Sequence, residues 1–126
     1  MKVSDLPPGR LLTVEPEAYL SRVAREMRIQ DSDSVAVMSG GRLVGIITEG
    51  DLVRAIADGM NPQQATAGVI MTSDPVTVTE DEDVSVVALR MMSLGVRHLP
   101  VVDASGNPTG LLSARNLVSV LDRSRS

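Results

Sequence analysis

The sequence predicts an α/β (α+β) fold of two pseudo-symmetric β-α-β-β-α units packed through their small sheets. Three observations predict it. First, Gly45-Ile46-Ile47-Thr48-Glu49-Gly50-Asp51 returns as Gly110-Leu111-Leu112-Ser113-Ala114-Arg115-Asn116, an offset of 65 residues from Gly45 to Gly110. Read without a gap, that offset also pairs Glu15 with Glu80, Glu17 with Glu82, Arg25 with Arg90, Met27 with Met92 and Val37 with Val102. Second, short β-branched runs alternate with helical periodicity inside each copy. Third, 126 residues suffice for one compact module. Three short strands and two helices cannot bury both apolar faces of a copy alone, so the copies are expected to pack on each other. The predicted organisation is a single module over 1–126: first motif 3–60, linker 61–68, second motif 69–122 and a frayed tail 123–126.

Each element has a local reason. Pro16 suits the first turn of a helix running to about Ile29. Val35–Met38 reads as a strand, Gly40-Gly41 as a hairpin turn and Arg42–Thr48 as the return strand. A helix follows over Asp51–Ala57, with Gly59 as its stop, and Asn61–Gly68 links the copies. In the second copy, Pro75–Val78 is β-branched after a Ser-Asp-Pro turn. Thr79 is placed as an N-cap with Glu82 completing a capping box. Val84, Val87, Ala88, Met91 and Met92 fall at helical spacing and mark a buried face. Gly95 ends that helix, and Leu99–Val102 is a buried strand. Asp103–Pro108 is a turn, Thr109–Ser113 the return strand, and Asn116–Leu121 a final helix. The acidic run Glu80–Asp83 reads as first-turn carboxylates complementing a helix dipole rather than as an interaction tail.

Composition excludes several function classes. The chain has one Tyr and no Phe or Trp, so the aromatic platforms of base-stacking nucleic-acid binders are missing. A net charge of −4 removes the general attraction to phosphate backbones, and no nucleic-acid partner is expected. With no cysteine there is no disulfide, thiolate metal site or thiol nucleophile. The N-terminal residues lack a signal-peptide core and no apolar run reaches membrane-spanning length, so no membrane role and a cytoplasmic location are expected.

The stretches Gly95-Val96-Arg97-His98-Leu99-Pro100-Val101-Val102-Asp103 and Gly45-Ile46-Ile47-Thr48-Glu49-Gly50-Asp51-Leu52 resemble the cystathionine-β-synthase (CBS) domain. Ile70-Met71-Thr72-Ser73-Asp74-Pro75-Val76-Thr77-Val78 resembles the lead-in to a second such motif. The resemblance spans roughly residues 3 to 122. It implies a non-catalytic pair of motifs, a Bateman module, that binds adenosine-containing ligands (AMP, ADP, ATP or S-adenosylmethionine) between motifs and forms a disc-like homodimer. No cofactor and no metal are expected.

The residues that would carry this have ordinary structural readings beside the functional one. Thr48 and Asp51 form a Thr-x-x-Asp step from strand to helix. A hydroxyl and helix N–H groups there can hold a phosphate, and the carboxylate a ribose diol. Equally, the pair is an N-cap. By resemblance it is the ribose-phosphate motif, preceded by Gly45. The second copy offers Gly110, Ser113 and Asn116, with Arg115 as a nearby cation where the first copy has Glu49. Gly95, Val96 and Pro100 match the family's adenine-pocket wall, and Val76 and Val78 of the lead-in stretch are further ligand-binding candidates of the second motif. Without a gap in the repeat, Gln30, Asp31 and Val35 replace that wall in the first copy. Gly95 also reads as a helix stop and Pro100 as a strand-start proline. Arg97 and His98 are by resemblance phosphate-reaching; read alone, a single His is as often a structural residue. Electrostatics thus makes copy two the friendlier to phosphates and copy one to ribose. The Arg22, Arg25 and Arg28 stripe reads as a solvated face paired with Glu15 and Glu26, and Met27 and Met92 as matching core positions. No nucleophile or paired base has a catalytic context, so an enzyme is not expected. The first hypothesis is a regulatory adenosine-ligand module acting on an unknown protein partner or across a homodimer. The second is an interaction or scaffolding module with vestigial pockets.

Overall fold

The computed structural model describes residues 1–7 and 10–118. The chain divides into two compact units, which do not follow the repeat boundary. The contiguous unit is Arg10–Pro75, and the composite unit joins Met1–Gly9 to Val76–Ser126. Residues 61–68, read as a linker, are therefore part of the contiguous unit.

The contiguous unit runs β1 (Thr13–Val14), α1 (Leu20–Ile29), β2 (Ser34–Ser39), β3 (Arg42–Thr48), α2 (Glu49–Ala57), α3 (Ala67–Ile70) and β4 (Thr72–Ser73). Its sheet has the order β1-β2-β3-β4, with β1 parallel to β2 and the other pairs antiparallel. Leu20, Val23 and Met27 form the buried stripe of α1, and Val23 and Met27 pack with Val35, Val37 and Ile47 of the sheet. β3 has the predicted bounds. Gly40 and Gly41 make the predicted two-residue hairpin turn at φ 57° and 76°, left-handed geometry that glycine adopts without strain. α1 starts at Leu20, not near Pro16. Its first N–H groups are satisfied by carbonyls of the later segment, Leu20 N–H by Ala65 and Ser21 N–H by Pro62 at 3.0 and 2.9 Å. No local side chain supplies the cap, so the sequence does not mark the start.

The composite unit opens with a 3-10 turn at Val3–Asp5 and continues as β5 (Val78–Thr79), α4 (Val84–Leu94), β6 (His98–Val102) and β7 (Pro108–Ser113), with residues 114–118 helical. The rest of the final helix expected to Leu121, and the tail 123–126, lie outside the described residues. The sheet order is β5-β6-β7. Val3 and Leu6 of the N-terminal segment join Val78, Val84, Val87, Met91, Leu99 and Leu112 in one core. Thr79 is not a helix cap but a strand residue. The N-cap of α4 is Asp83, which accepts the Ser85 N–H at 2.8 Å. Glu82 still reaches back to the Thr79 N–H, also at 2.8 Å.

The structure corrects the repeat itself. The burial stripe Leu20, Val23, Met27 recurs as Val84, Val87, Met91, a spacing of 64 residues from Met27 to Met91. Met92, matched to Met27 in the ungapped reading, is 78% exposed. The strands agree: Val14 pairs with Val37 and Val78 with Val101, again 64 apart. So do the helix ends. Ser32 N–H bonds the Met27 carbonyl at 2.9 Å and Val96 N–H the Met91 carbonyl at 3.0 Å, the six-to-one bond of a Schellman stop. Asp31, at φ 51°, is thus the counterpart of Gly95, at φ 69°. The extra residue of copy two sits in the β6–β7 turn. There the last ladder pair is Val102 with Pro108, where copy one pairs Met38 with Leu43. Asp103 holds the longer turn by accepting the Ser105 and Asn107 N–H groups, both at 2.9 Å.

The corrected spacing reveals one more equivalence. Val3 N–H bonds Glu82 and Ser4 N–H bonds Glu80 at 2.9 and 2.8 Å; Ala67 N–H bonds Ala18 and Gly68 N–H bonds Pro16, both at 2.8 Å. The N-terminal segment closes the composite unit as residues 65–68 close the contiguous one.

Candidate functional site

The Thr48/Asp51 and Ser113/Asn116 pairs stand at the ends of β3 and β7 and build the same device. Asp51 accepts the Thr48 N–H at 2.8 Å while the Thr48 hydroxyl accepts the Asp51 N–H at 3.4 Å. Asn116 accepts the Ser113 N–H at 3.0 Å, and Ser113 Oγ accepts the Asn116 N–H at 3.3 Å. Both are reciprocal capping boxes, so the capping role read from spacing is present in each copy. They differ in what they can offer a ligand. The Asp51 carboxylate, its side chain 15% exposed, is also paired with Arg54. Asn116 uses its amide oxygen on the Ser113 N–H and, at 2.8 Å, the Ser113 hydroxyl. Its NH2 group is the end that can donate to a ligand.

Within the composite unit a cavity of about 340 Å³ opens beside Asn116, within the size range of small-molecule sites. Val101, Gly110, Leu111 and Leu112 give it an apolar wall from the sheet, and Thr109 and Asn116 add polar groups. The N-terminal segment supplies Val3, Ser4, Leu6 and Pro7, and Glu80 completes the lining. Glu80 Oε1 accepts a hydrogen bond from the Thr109 hydroxyl at 3.1 Å, which fixes the carboxylate beside β7. In the contiguous unit, Met71 stands at the position of Pro7, and its side chain lies directly over the Cα of Gly45, the counterpart of Gly110.

Of the residues singled out in the sequence, Gly110 and Asn116 line this cavity, and Ser113 holds Asn116 in place. Val78 is fully buried in the core of the composite unit, whereas Val76 is exposed. Gly95 ends α4 and Val96 follows it, exposed. Arg97 is exposed, and its carbonyl receives the Ala114 N–H at 2.8 Å. His98 is half-buried and pairs with Ser113 across the ladder, as buried Pro100 does with Leu111. Arg97, His98 and Arg115 are not among the residues lining the cavity. Sequence reasoning missed Ser4, Leu6, Pro7, Glu80 and Thr109. The available signal was the repeat at its true spacing, which places Pro7 where Met71 packs on Gly45.

Three carboxyls that follow Glu80 are held by hydrogen bonds. A hydrogen bond from Arg90 holds the Glu82 carboxyl below its ordinary value. The Thr79 hydroxyl does the same for Asp81, and the Ser85 hydroxyl and N–H for Asp83. Among the described residues no group of three His, Cys, Asp or Glu is placed to hold a metal. No described helix is long and apolar enough to cross a membrane.

The CBS domain model matches the chain twice, over residues 3–58 and 67–123. The chain belongs to the CBS-domain family. An Acidianus ambivalens protein named as an uncharacterized 17.7 kDa protein is 34% identical over 121 residues, covering 95% of this chain and 73% of that protein. Other relatives are longer: the chain spans 24% of a Methanosphaerula palustris homoserine O-acetyltransferase, at 30% identity. Among solved structures, the CBS domain protein PAE2072 from Pyrobaculum aerophilum, complexed with AMP, matches at a TM-score of 0.86 and 26% identity, covering all of both chains. The CBS domain pair of protein MJ0100, in complex with 5′-methylthioadenosine and S-adenosyl-L-methionine, also gives 0.86 and 26%, over 96% of this CBS-domain chain and 99% of that one.

Proposed function

We propose that this CBS-domain chain is a non-catalytic regulatory module that senses an adenosine-containing ligand and passes the change to a partner or across a homodimer. The observation that carries the reading is the cavity beside Asn116: an apolar wall for a flat heterocycle, with the Asn116 amide, Thr109, Ser4 and the Glu80 carboxylate as the few polar groups that orient it. The ligands held by the two similar CBS structures support the ligand class.

A thermal-shift screen with adenosine, AMP, 5′-methylthioadenosine and S-adenosylmethionine tests it. A bound ligand stabilises the fold by mass action, about 2.7 kcal/mol at one hundred times Kd. Pro7→Met introduces into the composite unit the side chain that covers Gly45 in the other unit, and should remove the shift. Flat melting curves for the folded protein would favour the scaffolding reading. A shift that survives Pro7→Met would place the ligand elsewhere.

A further inference from the structure

The charge of the cavity distinguishes among adenosine ligands. Glu80 is the one charged side chain among the described residues lining it. Its carboxylate, on an exposed side chain, accepts from the Thr109 hydroxyl at 3.1 Å and its backbone carbonyl from the Ser4 N–H at 2.8 Å, which holds it at the rim of the lining. Asp81, Glu82 and Asp83 follow directly in sequence. The cations near this run face its carboxylates: Arg90 pairs with Glu82, the N-terminal amine with Asp83, and Lys2 lies near Asp81. Among the described residues no cation lines the cavity to offset a phosphate. A dianionic group there would meet a like charge at short range, whereas a neutral thioether or a cationic sulfonium on the same adenosine would not.

We propose that Glu80 makes this cavity selective for neutral or cationic adenosyl compounds over adenosine phosphates. The inference rests on the adenosine-ligand reading above and deepens it. Copy two is then the less phosphate-friendly site, opposite to what Arg97 and His98 imply by resemblance and Arg115 by its charge.

Calorimetry with 5′-methylthioadenosine, S-adenosylmethionine and AMP, on the wild-type chain and Glu80→Gln, tests the inference. The wild type should bind methylthioadenosine and S-adenosylmethionine more tightly than AMP. Glu80→Gln should strengthen AMP about fivefold or more and leave methylthioadenosine within about twofold. A second measurement needs no variant: added salt screens the repulsion, so AMP should bind the wild type better as ionic strength rises. Wild-type AMP binding as tight as methylthioadenosine, or a ligand ratio unchanged in Glu80→Gln, would overturn the selectivity. Binding of none of the three to folded protein would remove the adenosine reading itself.

Discussion

The one-residue difference between the copies can be tested by truncating two neighbouring methionines. Met91 is 3% exposed and lies in the core of the composite unit; Met92 is 78% exposed. Met91→Ala removes three side-chain heavy atoms from that core. At about 0.8 kcal/mol per buried methylene-sized group, transfer alone costs about 2.4 kcal/mol. The cavity left behind brings the expected loss into the range of about 2–5 kcal/mol. At about 4 °C per kcal/mol for this chain length, that lowers Tm by roughly 8–20 °C. Met92→Ala removes the same atoms from solvent contact and should stay within about 0.5 kcal/mol. Urea denaturation at the lowest workable protein concentration measures both, because dilution removes any contribution of self-association. Equal losses, or a larger loss at Met92, would restore the ungapped offset and refute the register argued from burial and strand pairing.

Asp51→Ala and Asn116→Ala each break a reciprocal capping box and should cost about 0.5–2 kcal/mol in denaturant titrations; a much larger loss would assign these residues a core role. The depressed Glu82 pKa contributes stability above the ordinary carboxyl value that is lost as pH falls through the folded-state value. The wild type should therefore weaken below about pH 4.5, and Glu82→Gln should flatten that part of the pH–stability curve; identical acid limbs would show that the Arg90 contact contributes nothing. Val86, Leu89 and Met92 leave an apolar row exposed on α4, and we propose that it joins two copies. Sedimentation at micromolar concentration should give a homodimer that Leu89→Asp dissociates, and a wild-type monomer would sink the idea.

Local chemistry made much of the fold legible. The hairpin announced itself through Gly40-Gly41 and its β-branched flanks, and Gly95 marked a helix end. The start of α1 was not legible because its caps are backbone carbonyls at Pro62 and Ala65, which no side chain advertises. The repeat register slipped because an inserted residue in a glycine-containing turn leaves no mark on periodicity. Chance identities such as Met27 with Met92 then favoured the ungapped alignment. Gly110, Ser113 and Asn116 were readable because a strand-to-helix step carries its own motif. Glu80 and Pro7 were not, since they meet the cavity only through pairing between distant stretches of chain.

That distant pairing has a consequence for synthesis. The contiguous unit closes on residues that leave the ribosome within one stretch, Arg10–Pro75. The composite unit cannot close until Glu80 and Glu82 arrive to receive the Ser4 and Val3 amides. Until then the apolar Val3 and Leu6 wait without their core, across a loop of almost eighty residues. The entropy of closing so long a loop grows only slowly with its length, but non-local pairing retards folding. One half of the molecule is thereby ready early and the other late, and the exposed N-terminal segment in that interval is a natural target for chaperone capture or off-pathway pairing.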